Sequence, residues 1–472
     1  MIPGGASGRR RHAAQPAMTF LGAVGTVTGS RFLLEGPDSR ILVDAGLYQG
    51  LAVHRRRNWD PFPGDPAGLD HVILTHAHLD HVGYLPRLVK DGYRGPVTCT
   101  RETAELAAIV LRDSAHLQEE DARYANSAGF SKHDPALPLY DSRDVERALG
   151  LFEPVDYGAP VALAGGAVAT LRSAGHILGS ATVEVAMGAH HVVFSGDLGR
   201  GHHPLLRPPD DPPPADTVVV ESTYGDRTHP VPDPQVLADA ITRTVERGGT
   251  VLIPAFAVDR TELVLLEIRR LVDQGLVPDV PIHVDSPMAL ASLDVYRGAA
   301  ARGGSQFRDD ARHLMSDLDV RNVHTVHDAA GSERLNRPDR PCIIISASGM
   351  ATGGRVVHHL AHQLPDRRNC VVLTGYQAEG TRGRQLAEGA PQVKIHGRYV
   401  PVRAEVVDVP DFSVHSDADE TLQWLSRSPR PPRTVYVVHG EPRSAEALAA
   451  RIARELGWTA VVPSYGERVL LD

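Results

Sequence analysis

The chain has 472 residues, 42% of them hydrophobic and 23% charged, with a formal net charge of −9. That composition excludes a disordered chain, leaves room for two or three folded domains, and excludes a chain-wide electrostatic footprint for nucleic acid; only a local basic cleft or a bound metal could still attract phosphate. Cys99, Cys342 and Cys370 are too few and too scattered for a disulfide framework or a Cys-based zinc site, and no run approaches the roughly 18 apolar residues of a membrane span, so a reducing, cytoplasmic setting without a membrane partner is expected.

The opening MIPGGASGRRRHAAQPAMTFLGAVG sets a basic cluster before a mildly apolar segment diluted by Gly, Thr and Pro. It reads as a flexible tail over residues 1–17 running into a first strand, not as a secretory leader. From 18 to 200, short apolar runs alternate with Gly-rich turns: TFLGAVG, RFLLEG, RILVDAG, HVILTHAH, PVTCT, VATLRSAG, ATVEVAMG and HHVVFSGD. Helical periodicity intervenes in RETAELAAIVLRDSAHLQEEDARYA, so α/β layers are expected. The Pro-rich RPPDDPPPAD, residues 207–216, predicts an exposed loop ahead of the buried strand TVVVEST. From about 234 the chain reads as helix, strand TVLIPAF, helix RTELVLLEIRRLVDQG and strand PIHVDS, with PCIIISAS and NCVVLTG to follow. Strands alternating with helices at that spacing predict a parallel sheet with covering helices, and hence a domain over 224–404. Residues 405–472, with RAEVVDV, TVYVVHGE and WTAVVPS, return to short strands and turns.

One stretch carries more chemistry than its length requires. LTHAHLDHVG places His76, His78, Asp80 and His81 within six positions at the close of an apolar run. His76 and His78 are two apart and project to one side of a strand-to-turn segment, while Asp80 and His81 lie beyond the bend. Imidazole and carboxylate are ligand types that suit zinc. Further His and Asp residues stand at other strand ends: Asp44 in ILVDAG, His176 in LRSAGHILG, Asp197 in VVFSGDLG and His439 in VYVVHGE. Each follows an apolar run and lies within two residues of a Gly, as expected where a strand delivers a side chain to a cleft and the backbone then turns. Singly, Asp44 or Asp197 reads as a turn residue. Together with the His-rich stretch they predict metal shells.

This pattern resembles the metallo-β-lactamase superfamily. Further ordered stretches, VVVESTYGDR, PAFAVDRTE, VDSPMA, SASGMATGGR, TGYQAEGTRGRQL, VPDFSVHSD and VYVVHGE, are similar to its β-CASP ribonucleases, the bacterial and archaeal relatives of the messenger RNA 3′-end cleavage nuclease and of ribonuclease J. The resemblance covers roughly residues 18–472. It implies a metallo-β-lactamase αβ/βα sandwich, residues 18–223 and 405–472, with the α/β β-CASP domain of 224–404 inserted in it. Two zinc ions per chain are implied: one held by His76, His78 and His176, a second by Asp80, His81 and His439, with Asp197 bridging and Asp44 orienting a ligating imidazole. A hydroxide shared by two such ions would be the nucleophile. Asp80, Glu221 and His415 form the implied catalytic set, His415 protonating the leaving oxygen and Glu221 holding that imidazole and raising its pKa.

SASGMATGG follows a strand and opens toward a helix, so its backbone N–H groups around Gly349 and the hydroxyls of Ser346 and Ser348 are candidates for phosphate binding, against the competing reading of a tight turn that only needs Gly. His202, His203, His358, His359 and His362 sit in polar or amphipathic surroundings and are expected to be solvated or capping. Arg55, Arg56 and Arg57 form a short basic run that is usually a solvated face but would suit a nucleic-acid backbone.

Three functions compete: an RNA endonuclease with some exonuclease activity, a DNA nuclease of the repair type, and a hydrolase of small esters or thioesters. An inserted domain covering the cleft exceeds what a small ester requires, and His439 stands where the resembling DNA-repair branch has an apolar residue. A metal-free scaffold is disfavoured because no expected ligand is missing. The partners implied are single-stranded RNA and either a second copy of the chain or an RNA-processing protein.

Overall fold

The computed structural model describes residues 15–129, 133–311 and 322–471. Most of the expected tail, residues 1–14, lies outside them; residues 17–20 are already the strand Ala17–Phe20, so the first sheet begins one residue before the expected boundary.

Two seven-stranded sheets face each other. The first runs in the order Arg468–Leu470, Ala17–Phe20, Phe32–Gly36, Ser39–Val43, His71–Ile73, Val97–Thr100, Phe152–Val155; the second in the order Ala460–Val461, Thr434–Val438, Thr217–Glu221, His190–Phe194, Ala181–Met187, Val168–Ser173, Pro160–Ala162. Alternate side chains of both sheets meet in one apolar layer: Met18, Phe20, Leu34, Ile41 and Ile73 from the first pack on Leu171, Val183, Val185, Phe194 and Val219 from the second. Phe32 lies 5.7 Å from Phe194 and Phe20 lies 5.0 Å from Tyr436, ring centre to ring centre. The opposite faces are covered by helices. Leu42, Val72 and Cys99 pack under Leu85, Leu88 and Leu106, while Val218, Val220 and Val437 pack under Leu422, Leu425 and Leu448. The result is the expected αβ/βα sandwich, with chain ends meeting where Ala17–Phe20 pairs antiparallel to Arg468–Leu470.

A third sheet of six parallel strands, in the order Val323–Thr325, Ile282–Val284, Cys342–Ser346, Thr250–Pro254, Cys370–Leu373, Glu405–Asp408, forms the inserted α/β unit. Its central strands are buried on both faces, which explains their continuous runs of Val, Ile and Leu. Val251, Ile253 and Ile345 face the helices Pro234–Glu246 and Arg260–Asp273, while Leu252, Ile344 and Val371 face the helix Arg355–Gln363. One expectation is corrected here. The composition of RAEVVDV places it in the returning sandwich segment, but Glu405–Asp408 pairs parallel to Cys370–Leu373, so the chain leaves the inserted sheet only after Asp408. Short apolar strands of the two units look alike in composition, and only pairing separates them.

The expectation of solvated or capping histidines also divides. His202, His358 and His362 are exposed. His359 is fully buried and donates from Nε2 to Asp285 Oδ2 at 2.6 Å, a carboxylate that also receives Arg355 Nη1 at 2.6 Å and the Ser332 hydroxyl at 2.5 Å. His203 is buried too; it caps locally by accepting the Leu205 and Leu206 N–H groups on Nδ1. Burial alone would raise the Asp285 carboxyl, but the hydrogen bonds from His359, Ser332 and Arg355 outweigh it and hold it below its usual range. A carboxyl with a depressed folded pKa contributes stability that is complete above its unfolded value, about 3.9, and is lost as pH falls through the folded value. Asp285→Ala leaves a buried imidazole and a guanidinium without their acceptor, at a cost of about 3–5 kcal/mol. Urea unfolding should show that deficit undiminished down to about pH 4 and shrinking below it.

Candidate metal centre

The C-terminal ends of the strands create the site. Val168–Ser173, His190–Phe194, Thr217–Glu221 and Thr434–Val438 run in one direction, as do Ser39–Val43 and His71–Ile73 in the facing sheet. Their ends therefore open on one edge of the sandwich, where the chain leaves each strand in a loop. Asp44 and His439 sit there with positive φ, 59° and 50°, a strained conformation for a residue with a side chain. His439 is held in it by its N–H, which donates to the Ala23 carbonyl at 2.6 Å. At Gly199 an added Cβ would lie 1.9 Å from the Gly175 carbonyl oxygen, so only glycine lets the loop after Asp197 touch the loop before His176.

Two ligand sets result. In the first, His78 Nδ1 lies 3.1 Å from His76 Nε2 and 3.2 Å from His176 Nε2, and Asp197 Oδ2 lies 3.4 and 3.7 Å from those two Nε2 atoms. In the second, His81 Nε2 and His439 Nε2 are 3.2 Å apart, Asp80 Oδ2 is 3.4 Å from His439 Nε2, and Asp197 Oδ1 is 3.3 Å from His81 Nε2. Asp197 thus turns one oxygen to each set. All seven residues expected as ligands converge here.

The hydrogen-bond partners around the rings assign their tautomers. Asp44 Oδ2 accepts His81 Nδ1–H at 2.7 Å, while Thr75 donates its N–H and hydroxyl to the same carboxylate at 2.8 and 2.9 Å. The Thr75 hydroxyl accepts His76 Nδ1–H at 3.0 Å, the Val414 carbonyl accepts His176 Nδ1–H at 3.2 Å, and the Thr223 hydroxyl accepts His439 Nδ1–H at 3.1 Å. In the neutral rings the four Nε2 atoms are then left without a proton and turned toward other ligand atoms, that of His81 also lying 3.3 Å from the Ser30 hydroxyl. Ligand atoms about 2.0–2.1 Å from a tetrahedral cation stand roughly 3.3–3.4 Å from one another, close to the spacings found. Among the described residues Asp197 Oδ1 is buried and accepts no hydrogen bond, as suits an oxygen that can ligate a cation. The residues present therefore fit a metal cation.

Electrostatics divide the donor set: burial acts to lower His81, but the Asp197 and Asp44 carboxylates outweigh it and raise that imidazole well above its usual value, so a cation would have to displace its proton, whereas other rings are already neutral. Burial pulls the His76 imidazole down to about 3 and His78 down to about 4, keeping them in the neutral form that ligates. Burial would raise the Asp197 carboxyl, but His439, His81 and His76 outweigh it and keep it well below the usual range.

His415 stands beside the centre. Its Nδ1 donates to Glu221 Oε2 at 3.2 Å and lies 3.8 Å from Asp197 Oδ2. Glu221, at 1% exposure, also accepts the Leu198 N–H at 2.6 Å and the Thr223 hydroxyl at 2.5 Å, so the same carboxylate braces the loop of Asp197, the partner of His439 and the His415 ring. Burial acts to lower His415, yet the Glu221 charge and hydrogen bond prevail and its pKa is raised. Thr75 and Thr223 are not legible in the sequence, because a threonine beside a ligand carries no spacing signal.

The centre opens into a cleft of about 2300 Å³ walled by both units, with Arg55, Ser348, Arg355, Arg382 and Lys394 on its walls. Two expected phosphate binders are corrected. Ser346 is fully buried with its hydroxyl donated to the Asp285 carbonyl at 3.0 Å, and Gly349 is buried against Phe256, whose ring a Cβ would meet at 2.4 Å. Both serve the turn itself, the first because it still belongs to the buried strand and the second because the aromatic ring lies directly on the backbone. Ser348 alone of the three faces the cleft.

A sandwich of this topology with such a donor set at its strand ends defines a metal-dependent hydrolase of the metallo-β-lactamase fold. Family profiles match in the same order: the metallo-beta-lactamase superfamily over residues 24–239, the Beta-Casp domain over 261–386 and the Zn-dependent metallo-hydrolase RNA specificity domain over 399–463. The chain is 38% identical over 450 residues to ribonuclease TTHA0252 of Thermus thermophilus, covering 95% of this chain and 98% of that one. It is 32% identical to the transcription termination factor FttA of Methanosarcina mazei, over 93% of this chain and 69% of that one. A crystal structure of a protein of unknown function from Enterococcus faecalis V583 superposes with a TM-score of 0.51 at 12% identity, covering 97% of this chain and 100% of that one, which supports the fold alone. The chain belongs to the metallo-β-lactamase β-CASP ribonuclease family.

Proposed function

We propose that the protein hydrolyses phosphodiester bonds of single-stranded RNA at a centre of two zinc ions, His76, His78 and His176 holding one, Asp80, His81 and His439 the other, and Asp197 both. The observation that carries this reading is that Asp197 turns Oδ2 toward His76 and His176 and Oδ1 toward His81, at the floor of a cleft shared by two units. Its volume exceeds the roughly 300–1,000 Å³ of small-molecule sites and suits a polymer. The names of the relatives, ribonuclease above all, favour RNA over DNA. When bound, such a cation pair lowers the pKa of a shared water toward about 7 and offsets charge on the phosphoryl oxygens.

The chain's own residues do the rest. Asp44 and Thr75 hold His81 and His76 in the ligating tautomer. Glu221 turns His415 Nδ1 inward, so that Nε2 faces the cleft and delivers a proton to the leaving oxygen; a raised pKa keeps more of that proton available near neutrality. The Ser348 hydroxyl, 3.0 Å from that of Thr352, offers a polar contact for the strand.

The test is incubation of the purified protein with 5′-labelled single-stranded RNA, matched DNA and a chromogenic thioester, with and without chelator. RNA should be cut, chelator should stop it, and DNA should be cut far more slowly. Thioester turnover with intact RNA would contradict the reading.

A further inference from the structure

Arg260 opens the helix Arg260–Asp273 and lines the metal cleft. It is buried at 4% exposure, yet among the described residues it has no carboxylate partner. The neighbouring Asp259 carboxylate is turned away, taken by His203 Nε2 at 2.8 Å and by the Tyr296 hydroxyl at 2.7 Å. Arg260 Nη1 donates to the Thr374 carbonyl, its guanidinium lies 5.9 Å from the centre of the Phe256 ring, and its Nε finds no acceptor among the described residues. A buried cation left without counter-charge is costly, and a fold retains one where a ligand supplies the missing charge.

Its surroundings say which ligand. The Phe256 ring also lies 6.0 Å from the ring of His78, so Arg260 and a metal ligand share one aromatic neighbour. Burial draws the guanidinium itself down to about 10, the nearby Tyr224 and Asp259 being too weak to offset it. The backbone that aims it is strained: Asp259, fully buried, has φ 71° and ψ −41°. That strained residue is locked from both sides, because the Tyr296 hydroxyl which donates to it also accepts the Leu178 N–H, two residues beyond His176. The inserted unit therefore registers Arg260 against the loop that carries a metal ligand.

We infer that Arg260 binds a non-bridging oxygen of the phosphodiester being cleaved, the incoming phosphate completing a buried ion pair that the free protein leaves open. This rests on the reading of the centre as a phosphodiesterase. Asp259, His203 and Tyr296 are positioning residues that act through Arg260. Because the phosphate gains charge as the attacked phosphorus takes on a fifth oxygen, the guanidinium is worth more in the transition state than in the ground state.

Arg260→Gln removes the charge and leaves a polar side chain two bonds shorter, so the Thr374 carbonyl also loses its donor. In the zinc-loaded protein, with metal content and thermal unfolding equal to wild type, the affinity for inorganic phosphate by calorimetry should fall about 10- to 100-fold. The kcat for single-stranded RNA should fall about 10²–10³-fold with a smaller change in KM. Unchanged phosphate affinity together with unchanged kcat would overturn the assignment. Phosphate binding that depends on Arg260 in a protein that cuts no RNA would leave the anion site standing and sink the nuclease reading instead. Should the variant fail to fold, wild type decides: saturating phosphate should protect Arg260 from modification by phenylglyoxal, mapped by mass spectrometry, and modification at an undiminished rate would overturn the assignment.

Discussion

Asp197→Ala should remove both bound ions at once and lower RNA cleavage about 10³-fold or more, the scale set by losing several kcal/mol of charge stabilisation. No other single substitution among the ligands has that reach. Oδ2 faces His76 and His176 while Oδ1 faces His81, so on the proposed reading one carboxylate would neutralise part of each cation and fix their separation. His76→Ala, by contrast, removes a ligand from the first set only and should leave the Asp80, His81 and His439 set able to bind. Elemental analysis after desalting, with thermal unfolding as the control for folding, distinguishes the two: near-zero metal in Asp197→Ala against about one ion in His76→Ala. Retention of both ions by Asp197→Ala would mean that the carboxylate does not bridge.

His415→Gln should keep both ions yet lose about 10²–10⁴ in kcat. The imidazole is not needed to hold metal, since each set is complete without it; its Nδ1 is engaged by Glu221 at 3.2 Å, which leaves Nε2 as the group that can move a proton. Glu221→Gln should give a smaller loss and shift the basic limb of the pH–rate profile to lower pH, because the charge that raises the His415 pKa has gone. A His415→Gln variant that loses metal would reassign the residue as a ligand.

What the sequence made legible follows from local physics. The parallel sheet was readable because strands buried on both faces, such as CIIIS and CVVL, must be apolar throughout. The metal centre was readable because ligands are costly to bury, and six positions holding His76, His78, Asp80 and His81 after a buried strand have few other uses. The pairing of Glu405–Asp408 was not, since EVVD suits either sheet and register is decided across the fold. Nor was the burial of His203 and His359: each depends on a carboxylate, Asp259 or Asp285, that approaches from another segment and converts an apparently solvated imidazole into a core donor. Ser346 and Ser348 show the same limit at close range. Two positions apart on one loop, the first still belongs to the buried strand and the second faces the cleft.

The most direct test of a two-ion centre is a crystal structure of protein prepared without chelator, with anomalous data collected on both sides of the zinc edge. Two peaks should flank Asp197, one inside the cage of His76, His78 and His176 and the other among Asp80, His81 and His439. A single peak, or density remote from Asp197, would contradict it.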